Sequence, residues 1–165
     1  MNALVRDHLA ATYFADYQAL RRELTDILDD EDLAFRPAPA AASLGELCRE
    51  VGDIEHSYIE AFRTFRQDFA RRSPDPEVER RVAALSTWYA DLDRELLAAL
   101  EALTDDDVAN RRISRHDYDV EDFSPLPKQE LDIYREALLI FYAKVSIYLR
   151  ILGRELPGHW GPWIG

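Results

Sequence analysis

The chain has 165 residues, 20 Lys and Arg against 32 Asp and Glu for a formal net charge of -12, and 47% hydrophobic residues. That length predicts one domain over residues 1–165, and the apolar share excludes a disordered acidic tail. The negative surplus argues against nucleic acid as a partner, and a single cysteine, Cys48, excludes an intrachain disulfide or a thiolate metal site and points to a reducing, cytoplasmic compartment.

The first predicted element runs from Ala3 to Leu28, with Leu9, Tyr13, Tyr17, Leu20, Leu24 and Ile27 on one side at intervals of three and four. Arg6, Asp7 and His8 interrupt its start, so the N-terminal stretch lacks the continuous apolar core of a signal peptide. Asp29-Asp30-Glu31-Asp32 would face the negative end of the helix dipole, and the chain is expected to leave the helix there. Phe35, before Pro37, is placed to fold back over the bundle end.

Ser43-Leu44-Gly45-Glu46 has the form of a capping box and starts the second helix. Its stripe is Leu44, Leu47, Val51, Ile54, Tyr58, Phe62, Phe65 and Phe69, against which Gly45 and Gly52 each cost helix propensity of about 1 kcal/mol relative to alanine. Ser73-Pro74 predicts the start of a third helix, carrying Val78, Val82, Leu85, Tyr89, Leu92, Leu96, Ala99 and Leu103. Thr104-Asp105-Asp106-Asp107 can cap a short extra turn, and Asn110 to Phe123 has no persistent period, as expected of a long crossing loop.

Ser124-Pro125-Leu126-Pro127 leads into the last helix, in which Leu131, Tyr134, Leu138, Phe141, Val145, Tyr148 and Leu152 alternate three and four apart. Its longest apolar run, Ala137 to Ala143, is far short of the ~20 residues that span a hydrocarbon core, so no membrane association is expected. Gly153 suits a left-handed helix end and Pro157 a stop. Trp160 and Trp163 flank Gly161-Pro162 and are expected to cover the bundle end or a subunit interface. Four apolar stripes call for one interior, hence an all-α four-helix bundle with a long crossing loop before the last helix.

Reactive residues are sparse. His8, His56, His116 and His159 are dispersed, with no HxxxH or HExxH pair to set two imidazoles on adjacent turns. Glu23, Glu50, Glu55, Glu60, Glu130 and Glu136 fall in predicted helices without a repeated Glu-x-x-His, and are expected at the surface. Cys48 lacks a local His partner and reads as buried rather than redox-active, and Ser57 and Ser146 sit in no nucleophile elbow. Arg63, Arg66, Arg71, Arg72, Arg80 and Arg81, and separately Arg111, Arg112 and Arg115 beside Asp105–Asp107 and Asp117-Tyr118-Asp119, are expected to be ion-paired. Phosphate-binding and dinucleotide glycine motifs are absent.

Three stretches, by their order and spacing, resemble the DinB-like superfamily of helical bundles: Leu33-Ala34-Phe35-Arg36-Pro37 with Ser43-Leu44-Gly45-Glu46-Leu47; Asp53-Ile54-Glu55-His56-Ser57-Tyr58; and Tyr148-Leu149-Arg150-Ile151-Leu152-Gly153. The superfamily includes metal-dependent proteins and relatives of thiol-dependent transferases. The resemblance implies a homodimer, and a metal held by one histidine of the second helix and an HxxxH pair of the last. Here Glu50, Ala137 and Phe141 fall at those positions, so two ligands are replaced by groups that cannot coordinate. Lys144, seven residues beyond Ala137, is placed to reach Glu50 as a buried ion pair. The expectation is a DinB-like protein without metal or other cofactor, structural or binding a small-molecule ligand. The alternative is a hydrolase or thiol-dependent transferase whose new centre recruits Glu50, His8, His56 or another carboxylate.

Overall fold

A computed structural model describes residues 1–115 and 123–160. His116, the Asp117-Tyr118-Asp119 run, Gly161-Pro162 and Trp163 lie outside the described residues. A wide helical turn, Leu4–His8, leads into α1 (Leu9–Ala11), followed by α2 (Phe14–Ile27), α3 (Asp30–Leu33), α4 (Leu44–Thr64), a two-residue strand β1 (Arg66–Gln67), a tight helical turn Pro76–Glu79, α5 (Val82–Ala102), α6 (Asp105–Asn110), β2 (Ser114–Arg115) and α7 (Pro127–Leu152).

Helices α2, α4, α5 and α7 are the four predicted long helices, and their apolar faces share one core. Around the bundle, α5 packs against α2 and α4, and α7 against α4 and α2, which leaves α2 diagonal to α4 and α5 diagonal to α7. Both the α2–α4 and the α5–α7 connections therefore cross an end of the bundle. β1 and β2 pair in parallel, Arg66 with Ser114 and Gln67 with Arg115, a geometry that needs the long crossover which α5 and α6 supply.

The predicted first helix is not continuous. Its start is anchored by Asn2, whose buried amide donates to the carbonyls of Leu100 (2.7 Å) and Leu103 (2.8 Å) at the far end of α5. The chain then turns through Thr12 to a left-handed Tyr13 (φ 54°) before α2 begins. Tyr13, expected on the inward stripe, is consequently 63% exposed.

The capping box at Ser43 and Glu46 forms as predicted, with the Ser43 amide donating to Glu46 (2.8 Å) and the Glu46 amide to Ser43 (3.1 Å). α4 ends earlier than its stripe suggested, at a left-handed Phe65 (φ 60°), but Phe69 still packs edge-on to Tyr58 at 6.0 Å. Its glycines give room to neighbours: a Cβ on Gly45 would sit 2.1 Å from the Glu79 carbonyl oxygen, and one on Gly52 2.3 Å from the Trp88 ring.

The third long helix starts at Val82, not after Ser73. The Ser73 amide is taken by Asp53 of α4 (2.6 Å), Asp75 caps the Pro76–Glu79 turn, and the Val82 amide donates to Asp30 (2.8 Å), a cap supplied by another element. The acidic run after α2 does leave that helix, and it then starts α3, where carboxylates favour the positive end of the dipole. Arg154, past the end of α7, ties the same run down through Asp29 (2.6 Å) and Asp32 (2.8 Å).

The short extra turn predicted at Thr104 forms as α6, boxed by Thr104 and Asp107, and β2 lies in the predicted crossing loop that follows. α7 begins with Pro127 and closes on left-handed Gly153 (φ 73°). Phe35 is half-buried, edge-on to Tyr148. Trp160 is fully buried against Tyr142, with ring centroids 5.0 Å apart, so it covers the bundle.

Candidate functional site

The positions singled out on the second and last helices do come together. Leu47, Glu50, Val51 and Ile54 of α4 and Ala137, Ile140, Phe141 and Lys144 of α7 line one outward-facing cleft of about 190 Å³. The spacing within each helix puts these residues on one face, and the packing of α4 on α7 sets the two faces side by side.

The cleft is chemically poor. Phe141 is 5% exposed and tilts against Tyr142 at 5.4 Å, so its ring belongs to the core. Ala137 offers a methyl group. Neither has a lone pair to give a metal, and Glu50 alone remains as a donor, so the residues present do not fit the three-ligand centre that the resemblance implied. Among the described residues no three His, Cys, Asp or Glu side chains group to hold an ion.

The buried Glu50–Lys144 pair is not formed. Both side chains are exposed, and among the described residues neither takes part in an ion pair. Two hydrated charges gain little from pairing and lose side-chain entropy by it.

Neither His8 nor His56 lines the cleft. His8 lies 2.9 Å from Asp132 through Nε2, and His56, half-buried on α4, has its pKa lowered by burial and by Arg71. His159 contacts Glu23, which raises the pKa of the exposed imidazole. Cys48 is fully buried, and burial pushes its thiol up to about 12, too high for a thiolate nucleophile near neutrality. The arginine runs are ion-paired only in part: Arg63 pairs with Glu60 (3.3 Å) and Glu95 (3.1 Å), Arg81 with Asp30 (3.3 Å) and Arg111 with Asp107 (3.3 Å), whereas Arg72 and Arg112 donate to backbone carbonyls and Arg71 and Arg80 form no ion pair among the described residues.

The strongest electrostatics lie inside the bundle, around a glutamate, Glu55, that was expected at the surface. Arg21 of α2 is fully buried, bonded to Glu55 of α4 and Asp93 of α5, with its guanidinium 4.7 Å from the centre of the Tyr89 ring. Burial works against the Arg21 charge, but Glu55 foremost, then Tyr134 and Asp93, hold it protonated. Burial raises the Glu55 and Asp93 pKa values, with Arg21 opposing. Arg22 approaches Asp93 only from the outside, at 3.5 Å.

A second buried pair joins β2 to α7: Arg115 donates to both oxygens of Glu130 at 3.0 and 2.9 Å. Glu55 and Glu130, expected at the surface, are thus fully buried counter-ions. One signal was available in sequence, since Glu55 stands between Val51 and Ile59 at i−4 and i+4, and Arg21 between Tyr17 and Leu24: each charge interrupts an apolar seam on a different helix. Both clusters lock elements together; Arg21 and Glu55 are sealed in the core, and Asp93 alone reaches a surface cleft, which is lined mostly by apolar residues such as Phe14, Leu96 and Leu100.

Among the described residues no helix is long and apolar enough to cross a membrane. The family model of the DinB superfamily matches residues 14–131, a stretch that ends before Ala137 and Phe141. The crystal structure of a DinB-like protein, YjoA, from Bacillus subtilis has a TM-score of 0.68 to this fold at 17% sequence identity, over 88% of this chain and 94% of that one. No curated protein sequence matches the chain significantly.

Proposed function

The chain belongs to the DinB superfamily, and we propose that it is a metal-free, cytoplasmic member of it, a single-domain homodimer whose role is structural or the binding of a small molecule. The observation that carries this reading is the donor set of the α4–α7 cleft: an exposed carboxylate, a methyl group and a ring that is part of the core. A divalent ion bound there would have one protein ligand where a catalytic centre uses three, and no step of hydrolysis or thiol transfer can be routed through it. What the cleft offers instead is an apolar floor, Leu47, Val51, Ile54 and Phe141, with one carboxylate and one ammonium at its rim. Such a surface suits a small, largely apolar body.

Metal analysis of untagged protein after exhaustive dialysis tests the reading. The expected result is far less than one divalent ion per chain. One retained equivalent would overturn it in favour of a hydrolase or thiol transferase built on a new centre, and substituting Glu50, His8 and His56 singly would then show which of them holds the ion.

A further inference from the structure

Helix α7 has two apolar seams, and the core uses only one of them. The inward seam, through Tyr134, Leu138, Phe141 and Val145, is buried. The outward one is Ile133, which also packs partly against the core, then Ala137, Ile140, Lys144, Ile147 and Ile151, alternating four and three apart over its whole length, which is the spacing of the contact positions of a coiled coil. Ile140, Ile147 and Ile151 are 58%, 57% and 56% exposed. Over eighteen residues this seam runs about 27 Å at ~1.5 Å per residue, and its N-terminal half forms one wall of the α4–α7 cleft. Three exposed isoleucines on one face of a helix in a highly charged chain are costly to leave in water.

We propose that this seam is the contact surface for a second copy of the chain, with the two α7 helices packed antiparallel about a two-fold axis level with residue 142. The register follows from the sequence. In an antiparallel pair, facing residues share a midpoint. Ile133 with Ile151, Ala137 with Ile147, and Ile140 with Lys144 all have their midpoint at 142. The pairing sets Ile147 of the partner subunit over Ala137, where the small side chain leaves the cleft its depth, and so closes the cleft with an aliphatic group.

Charge selects both the partner and the direction. A chain of net charge -12 repels its own kind, so a self-contact must be locally neutral. The exposed charges beside the seam are Glu136 towards the N-terminal half of α7, Arg150 towards the C-terminal half, and Glu50 and Lys144 near the middle, since α4 runs antiparallel to α7, with Tyr58 on Tyr134 and Ala42 bonded to Tyr148. Antiparallel packing brings acid to base across the axis, Glu50 to Lys144 of the partner subunit and Glu136 to Arg150 of the partner subunit. Parallel packing would place Glu136 against Glu136 of the partner subunit and Arg150 against Arg150 of the partner subunit. A patch that carries both signs in mirror order is self-complementary, as an isologous interface requires. The same pairing gives Glu50 and Lys144 the partners that they lack within one chain.

The inference rests on the metal-free reading of the cleft, since the pairing fills the space over Ala137 with an aliphatic side chain of the partner subunit. Sedimentation velocity on untagged protein should give a dimer. Ile147→Asp should give a monomer with unchanged helical circular dichroism, because the replaced side chain touches no core. Glu50→Lys and Lys144→Glu should each weaken the dimer by at least about tenfold, and the double swap should restore most of the loss. Lys144 is one of only two lysines, so carbodiimide coupling in a mixture of light and heavy chains should yield a Lys144–Glu50 link between unlike masses. A wild-type monomer at the highest soluble concentration, or a dimer that survives Ile147→Asp, overturns the proposal. Metal content of the same samples separates the two failures: a metal-free monomer removes this interface alone, whereas a metal-loaded chain removes the reading beneath it.

Discussion

Glu50 and Glu55 lie five residues apart on α4 and occupy opposite worlds. Five residues turn a helix by about 140°, so Glu50 stands exposed at the rim of the outer cleft and Glu55 is fully buried on the opposite side of the same helix, against Arg21. The outer region holds the positions where related proteins are implied to carry a metal, and it has almost no polar chemistry left. The inner region has a buried cation bonded to two carboxylates, and only Asp93 among them reaches a surface cleft. Charge in this bundle has a structural use: Arg21 draws α2, α4 and α5 to one point, and Arg115 draws β2 to α7.

The most severe way to break that contrast is to remove the shared cation. Arg21→Met preserves much of the volume and leaves Glu55 and Asp93 buried without their counter-ion. Truncating one partner of a buried network costs about 3–5 kcal/mol, which is a large part of the stability of a domain this size. Urea denaturation should show the midpoint falling accordingly, or no cooperative transition at all. A loss below about 1 kcal/mol would mean that the cluster is hydrated and that the two regions differ less than their burial indicates.

A milder change sharpens the contrast through pH. A carboxyl whose pKa is higher in the folded than in the unfolded chain holds its proton more tightly when folded. The stability it contributes is then fully present below the unfolded pKa and is lost as pH rises through the folded one. Burial places Glu55 in this class, with Arg21 opposing. As pH falls from neutrality towards the ordinary carboxylate range, the wild-type chain should gain stability relative to Glu55→Gln, which has no proton to take up there. Parallel urea titrations over that range measure the difference, to which carboxylates common to both chains do not contribute. A constant difference would show that Glu55 remains ionised throughout.

How legible these regions were in sequence follows the range of the interactions that make them. The Ser43–Glu46 box, the Thr104 cap, Pro127 and Gly153 are written within a few residues of each other and were readable. The start of α5 was not, because its cap is Asp30, 52 residues away, and Ser73 is pinned to α4 by Asp53. The helix start ahead of the break at Tyr13 is pinned by Asn2 to the far end of α5, 98 and 101 residues on, which no local pattern shows. Resemblance located Glu50, Ala137, Phe141 and Lys144 on one cleft, but spacing could not say whether the two charged tips meet or point to solvent. Abundance hid the inner cluster: among 32 acidic residues, Glu55 looks like any other until it is noticed that both of its helical neighbours, Val51 and Ile59, are buried.

The smallest expected effect is the complement of the first. Glu50→Gln, made in the Ile147→Asp background so that association does not enter, should change the stability of the chain by less than about 0.5 kcal/mol, the ordinary range for an exposed side chain without a partner. The change removes one negative charge, offsetting the one that Ile147→Asp added, and returns the chain to its natural net -12, and any general relief of repulsion falls within the same range. Thermal or urea unfolding of the two chains at neutral pH measures it. Set beside Glu55→Gln on the same helix, it isolates burial as the variable, because residue type, substitution and helix are held constant. A large loss at Glu50 would mean that its carboxylate bonds something in the folded chain, and the cleft would then have to be read as a polar centre after all.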